Sequence, residues 1–130
     1  MSRYLALIPA AGTGSRMGHA LPKQYLSLSG RPLLYHAIER LCAHAAVERV
    51  YVVLAPGDRR FDAYDWTPLE AKLAPVRVGG DSRAQSVRNG LRHVAGEVAD
   101  EDWIMVHDAA RPCITPALLD RLIVEVGDDP

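Results

Sequence analysis

The stretch Tyr4-Leu5-Ala6-Leu7-Ile8-Pro9-Ala10-Ala11-Gly12-Thr13-Gly14-Ser15-Arg16-Met17-Gly18 decides how this chain is read. Residues 4–9 form a short, nearly continuous apolar run, the pattern of a strand buried on both faces. The run breaks into residues so small that backbone N–H groups can close around an anion. In a parallel sheet, ligands collect at the carboxyl ends of strands, which is where this loop would lie.

Working outward, short apolar runs alternate with helical patterns. From Leu33, apolar residues recur at Leu34, Ala37, Ile38, Leu41, Cys42 and Ala45, the spacing of a helix packed on one face. Residues 50–54, Val-Tyr-Val-Val-Leu, read as a second covered strand stopped by Pro56-Gly57. Residues 57–74 read as a loop with a short helix, and residues 75–78 as a third strand ending at Gly79-Gly80. Ser82 and Gln85 have capping-box spacing, opening a helix with Ala84, Val87, Leu91 and Val94 on one face. Residues 103–106 are a fourth strand closed by His107-Asp108, and Thr115-Pro116 opens a last helix through Val126. The order β-α-β-(α)-β-α-β-α predicts an α/β domain, doubly wound on a mainly parallel sheet. Function is then expected in the loops after Pro9, Gly79 and Val106.

Composition narrows the class. The 130 residues are 48% hydrophobic and 24% charged, which suits one compact domain with a real core. Fifteen basic against sixteen acidic residues give a net charge of -1, which argues against a nucleic-acid partner held by long-range attraction. Only Lys23 and Lys72 are lysines, so a lysine needed for chemistry has few candidates. Cys42 and Cys113 lie far apart with no metal-ligand spacing around them, and both are expected to be buried, reduced thiols. No run reaches the ~20 apolar residues of a membrane span, and the first apolar run is too short for a secretion signal. These features predict a cytoplasmic protein with no membrane partner.

Three readings of the glycine loop compete. A Walker loop needs Lys after its second glycine, and Ser15-Arg16 follows Gly14 instead. A dinucleotide fingerprint fits poorly, because the third glycine is displaced to Gly18, Pro22 interrupts any following helix, and the first acid past the second strand is Asp58. In the third reading Arg16 and Lys23 form a cationic clamp beside the loop. Attack on an α-phosphate accumulates charge on the equatorial oxygens and the leaving pyrophosphate, which fixed cations stabilise more than the ground state. A lone Arg or Lys is usually a solvated surface residue. The loop before them and the block Pro22-Lys23-Gln24-Tyr25 favour the clamp.

Four blocks then carry a resemblance. Pro9-Ala10-Ala11-Gly12-x-Gly14-x-Arg16-Met17-Gly18, Pro22-Lys23-Gln24-Tyr25-Leu26, Gly79-Gly80-x-x-Arg83-x-x-Ser86-Val87 and Val106-His107-Asp108-Ala109-Ala110-Arg111-Pro112 occur in the order seen in 2-C-methyl-D-erythritol 4-phosphate cytidylyltransferases. The glycine loop alone resembles the wider nucleotidyltransferase class, sugar-nucleotide pyrophosphorylases included; the second and fourth blocks narrow it. The resemblance implies a Rossmann-like nucleotidyltransferase domain over residues 1–130. It also implies a reaction joining CTP to 2-C-methyl-D-erythritol 4-phosphate, with Mg²⁺ as the metal and pyrophosphate released. It makes Arg16 and Lys23 the transition-state stabilisers, with Ala10, Ala11, Gly12 and Gly14 lining the nucleotide. Gly80, Asp81 and Ser86 match positions that hold the cytosine; Asp108 matches one near the metal and the acceptor, and Arg111 a contact to the acceptor.

Independently of the resemblance, a carboxylate just past an apolar strand, as Asp108 is, is where a Mg²⁺ ligand belongs in such a sheet. The plainer alternatives are an ion pair with Arg111 for Asp108, and helix capping for Asp81 and Ser86. His107, Trp66 and Trp103 read as structural. The family pattern continues past Pro130 with further strands, a dimer-forming arm and the grip on the acceptor's phosphate. The sheet is therefore expected to be incomplete at its C-terminus, and the full-length protein to be a homodimer. A nucleotide-binding module without transferase activity of its own stands as the alternative.

Overall fold

In a computed structural model, residues 3–12 and 22–109 are described. Gly14, Arg16, Arg111, Cys113 and the expected helix at 115–126 lie outside them. Strand β1 (Tyr4–Ala10) leads to a 3-10 turn at Lys23–Tyr25, a small antiparallel pair β2 (Ser27–Leu28) and β3 (Arg31–Pro32), and helix α1 (Leu33–Cys42). Then come β4 (Val47–Leu54), 3-10 turns at Phe61–Ala63 and Thr67–Leu69, β5 (Leu73–Val76), helix α2 (Arg83–Val94) and β6 (Trp103–Val106). Four strands form one sheet in the order β5-β4-β1-β6, with every neighbouring pair parallel. The doubly wound α/β expectation holds. The chain steps outward from β1 through β4 to β5 and returns to the other side of β1 with β6. The order therefore reverses beside β1, and open α/β sheets keep their ligand crevice at that reversal.

Alternation along the strands divides the core. Ala6, Ile8, Val50, Val52 and Leu54 face α1, which buries Leu34, Ala37, Ile38 and Leu41 against them. Each of the fully buried Leu, Ile and Val side chains among them contributes about 1.5–3 kcal/mol of transfer free energy. On the same face an aromatic group closes the core's edge: Trp66 stacks on Phe61 at 4.3 Å and on Tyr35 at 5.5 Å, and its indole N–H donates to the Phe61 carbonyl. The opposite face presents Leu5, Leu7, Tyr51, Val53 and Val76 to α2.

That second face differs from expectation. The expected apolar stripe of α2 meets the sheet only in part: Val94 is buried and Val87 packs on this core, but Ala84 is exposed and Leu91 is 38% exposed, and Ser86 and Gly90 are buried in their place. Close approach is the reason. A Cβ at Gly90 would stand 2.6 Å from Val53 Cγ2 and 3.1 Å from Leu7 Cδ1, so only the smallest residue fits at the crossing.

Other boundaries move for local reasons. The third strand is Leu73–Val76 instead of 75–78, since pairing starts at Val50 opposite Leu73. Pro75 sits within it because β5 is the outer strand of the described sheet, where a missing N–H is tolerated. Strand β4 begins three residues before the expected start, through exposed Glu48 and Arg49. Helix α1 ends at Cys42, leaving Ala45 exposed and outside it. Cys42 is half-buried where full burial was expected, and burial pushes its thiol up to about 11. Trp103 is 37% exposed, whereas Trp66 packs on the core.

The start of β1 is tied to the start of β6 by one carboxylate. Asp102 accepts from the Arg3 backbone N–H (3.0 Å) and guanidinium (2.8 and 3.1 Å) and from the Ala99 N–H (2.9 Å). No helix among the described residues is long and apolar enough to cross a membrane.

Candidate functional site

Where the strand order reverses, the carboxyl ends of β1, β4 and β6 and the N-terminus of α2 enclose a cleft of about 600 Å³. Pro9, Ala10, Ala11 and Gly12 form one wall, Gly79 to Ser82 with Arg83 and Ser86 a second, and Lys23, Gln24, Asp108 and Ala109 complete it. Of the site residues expected from sequence, Ala10, Ala11, Gly12, Lys23, Gly80, Asp81, Ser86 and Asp108 thus border one space. Gly14, Arg16 and Arg111 lie outside the described residues.

The two small-residue loops touch. The Gly79 N–H donates to the Leu54 carbonyl at 2.8 Å, and a Cβ on Gly79 would lie 2.2 Å from that of Ala11. The second loop is fixed from inside α2. Ser86, 2% exposed, accepts from the Gly80 N–H at 3.0 Å, and Asn89 donates to the Val78 carbonyl at 2.9 Å. Neither Asp81 nor Ser86 caps α2. Ser82 does, its hydroxyl accepting from the Gln85 N–H at 3.1 Å. The reciprocal bond of the capping box is displaced by one residue, because the Gln85 side chain accepts from the Asp81 N–H at 2.8 Å.

Lys23 is exposed on the cleft, and its two neighbours are buried. The Gln24 carboxamide donates to the carbonyls of Ala10 at 3.0 Å and Gly12 at 2.9 Å. The Tyr25 hydroxyl donates to Asp58 at 2.7 Å, and its ring stacks on Tyr64 at 5.9 Å. Burial first, then the Asp58 contact, pushes the Tyr25 phenol far above its ordinary range. Asp58 also accepts from the Arg60 and Phe61 N–H groups, which seats the turn.

Asp108 stands one turn of chain past β6 and accepts from Arg83 Nε at 2.9 Å. Among the described residues it pairs with the first residue of α2; the Arg111 alternative lies outside them. Asp81 and Asp108 are the carboxylates on the cleft, and no group of three His, Cys, Asp or Glu side chains gathers among the described residues. That donor set suits an ion that arrives bound to phosphates and takes one or two protein carboxylates, the habit of Mg²⁺. Gln24, Arg83 and Asn89 shape the site although the sequence assigned them no role. Gln24 and Arg83 left a signal, each lying within a motif block, whereas Asn89 left none.

Comparison with known proteins identifies the family. The family model IspD, 2-C-methyl-D-erythritol 4-phosphate cytidylyltransferase, matches residues 4–129. The protein of that name from Laribacter hongkongensis is 59% identical over 130 residues, covering 100% of this chain and 55% of the relative. Its namesake from Dechloromonas aromatica is 55% identical, covering 100% of this chain and 57% of its own. A crystal structure of 4-diphosphocytidyl-2C-methyl-D-erythritol synthase superposes with a TM-score of 0.85 at 35% identity, over 99% of this chain and 56% of that one. The chain thus spans about half the length of the curated relatives it matches. A match from the first residue of β1 to within one residue of the last, on a sheet of the same shape, leaves one conclusion: the chain belongs to the 2-C-methyl-D-erythritol 4-phosphate cytidylyltransferase family.

Proposed function

We propose that the complete protein transfers a cytidylyl group from CTP to 2-C-methyl-D-erythritol 4-phosphate and releases pyrophosphate, a step of isoprenoid precursor synthesis. The observation that carries the reading is the meeting of the glycine loop, Lys23, the Gly80 loop and Asp108 in one cleft at the strand-order reversal. Ala10, Ala11, Gly12 and Gly14 bind the nucleotide, while Gly80, Asp81 and Ser86 hold the cytosine. Ser86 acts on the base loop through its bond to the Gly80 N–H.

A phosphate oxygen of the acceptor attacks the α-phosphorus. The bond from that phosphorus to the oxygen bridging the α- and β-phosphates breaks, and its electron pair leaves on pyrophosphate. No strong base is needed, because the nucleophile is already anionic. Lys23 and Arg16 stabilise the charge that builds on the equatorial oxygens and the leaving group. Asp108, one of two carboxylates on the cleft among the described residues, would hold Mg²⁺ brought in with the triphosphate. When bound, the ion neutralises phosphate charge. Arg111, with Asp108, orients the acceptor.

Lys23 and Arg83 are the cations lining the described cleft. An acceptor phosphate held in line against a triphosphate calls for more positive charge and tight orientation. Arg16 and Arg111 supply part of it, and the rest of the grip on the acceptor phosphate comes from the remainder of the complete protein, a cytoplasmic homodimer. Pyrophosphate release by the complete protein tests it, with CTP, UTP, ATP and GTP each offered with methylerythritol phosphate or a sugar 1-phosphate. Turnover confined to CTP with methylerythritol phosphate supports the proposal. Turnover with a sugar phosphate, or none with any pair, overturns it.

A further inference from the structure

Gln24 has no assigned part in the reaction, yet it is 6% exposed and makes two bonds inside the site. A carboxamide nitrogen carries two hydrogens. Here each of them reaches a different carbonyl of the glycine loop, Ala10 at 3.0 Å and Gly12 at 2.9 Å. Left unmet, those carbonyls would direct partial negative charge toward a triphosphate. We infer that Gln24 is a positioning residue, whose carboxamide fastens the glycine loop to the Lys23 turn so that the two act as one phosphate-binding unit. The inference rests on the CTP reading given above.

Three features make the fastening specific. In a trans peptide the N–H lies opposite the C=O, and no cis peptide occurs among the described residues. Holding the Ala10 carbonyl against Gln24 turns the N–H of the same peptide plane, that of Ala11, to the opposite side, where an anion can be met. Next, Lys23 immediately precedes Gln24, so the clamp that orients the loop also sets where the ammonium starts from. Last, the turn cannot swing away as a unit, because Tyr25 is held by Asp58 and by its stack on Tyr64. An ordinary core glutamine would satisfy any nearby acceptor. This one bridges two residues of the loop that carries the proposed phosphate contacts.

The experiment measures CTP and CMP affinity with Mg²⁺ on the complete protein as wild type, Gln24→Met and Gln24→Glu. Met keeps the length and removes both donors, while Glu places an acceptor against two acceptors. Losing buried donors should weaken CTP about 10- to 100-fold in Gln24→Met and further in Gln24→Glu. CMP should weaken much less, and the KM for the acceptor should hold. A purely structural glutamine would weaken both nucleotides alike, so an unchanged CTP-to-CMP ratio overturns the inference. If the wild type itself fails to bind CTP, the function proposal fails instead, and the two failures are distinct. Wild-type protein gives a readout that needs no variant to fold. With ¹⁵N labelling, the Gln24 side-chain NH₂ should exchange slowly with and without CTP, and rapid exchange in the free protein overturns the clamp.

Discussion

Gly90→Ala sets two effects of opposite sign against each other. By helix propensity alone the change should stabilise α2 by about 1 kcal/mol, since Ala is the better helix former. The crossing says otherwise. The added Cβ would lie 2.6 Å from Val53 Cγ2 and 3.1 Å from Leu7 Cδ1, where carbon atoms settle at about 3.5–4.0 Å. Val53 is fully buried and β-branched, so it cannot rotate aside cheaply. The helix must back off by close to 1 Å, at the roughly 1–3 kcal/mol typical of overpacking. Net destabilisation of up to about 2 kcal/mol is expected once propensity is subtracted. The displacement also pulls Ser86, one turn earlier on the same helix, away from the Gly80 N–H, so CTP affinity should fall along with stability. Urea unfolding and CTP titration of the complete protein read both, with Gly57→Ala as the control, where a Cβ meets nothing within 4 Å. A Gly90→Ala protein as stable as wild type, or more so, with unaltered CTP binding, would refute the close crossing as the device that seats the base loop.

Lys23→Ala removes an exposed ammonium, so folding should be untouched while kcat falls by roughly 10²-fold, the usual cost of one fixed transition-state donor. A raised KM with kcat intact in steady-state kinetics would make Lys23 a ground-state binder. Asp108→Asn removes the charge that pairs with Arg83, so the Mg²⁺ needed for activity should rise, and an unchanged Mg²⁺ titration would refute the assignment. With its thiol pushed up to about 11, Cys42 should alkylate at pH 8 about 100-fold more slowly than an ordinary thiol, as mapped by peptide mass. Asp102 is held down to about 2 by the Arg3 guanidinium and the Ala99 and Arg3 N–H groups, against about 3.9 in the unfolded chain. A depressed carboxylate stabilises above its unfolded value. Acid titration of stability should therefore show a loss from about pH 4 down toward 2 that Asp102→Asn lacks.

The parts of the fold legible in the sequence are those where hydrophobicity and position coincide. Residues 4–9 and 50–54 are apolar without interruption because both sheet faces are covered there, and the Leu34-Ala37-Ile38-Leu41 face of α1 is buried as its period predicts. Position without hydrophobicity stayed hidden. The start of β4 carries Glu48 and Arg49, which look like loop, and the edge strand β5 is legible only from its proline onward, two residues after its start at Leu73. In α2 the buried face adds Ser86 and Gly90 to the expected Val94; at those two positions side-chain smallness allows contact, and a hydrophobic pattern cannot register smallness.

The same distinction sorts the site. Lys23 and Asp108 were legible because a strand's carboxyl end is a place in sequence as well as in space. The Arg83 partner of Asp108, 25 positions away, and the reach of Gln24 across 12 and 14 positions depend on the sheet having formed. These internal bonds also differ in what they do when a ligand arrives. Gln24 and Ser86 are buried, and giving up their bonds would strand polar groups at a cost of about 1–3 kcal/mol each, so they stay and hold the loops in place. Arg83 and Asp108 are paired in the open, with side chains 58% and 37% exposed, and parting them costs little. The cleft therefore combines a fixed floor of loop clamps with one exchangeable pair at its mouth. In the function proposed above, substrate and metal would compete for that exposed pair while the buried bonds keep the loops in place.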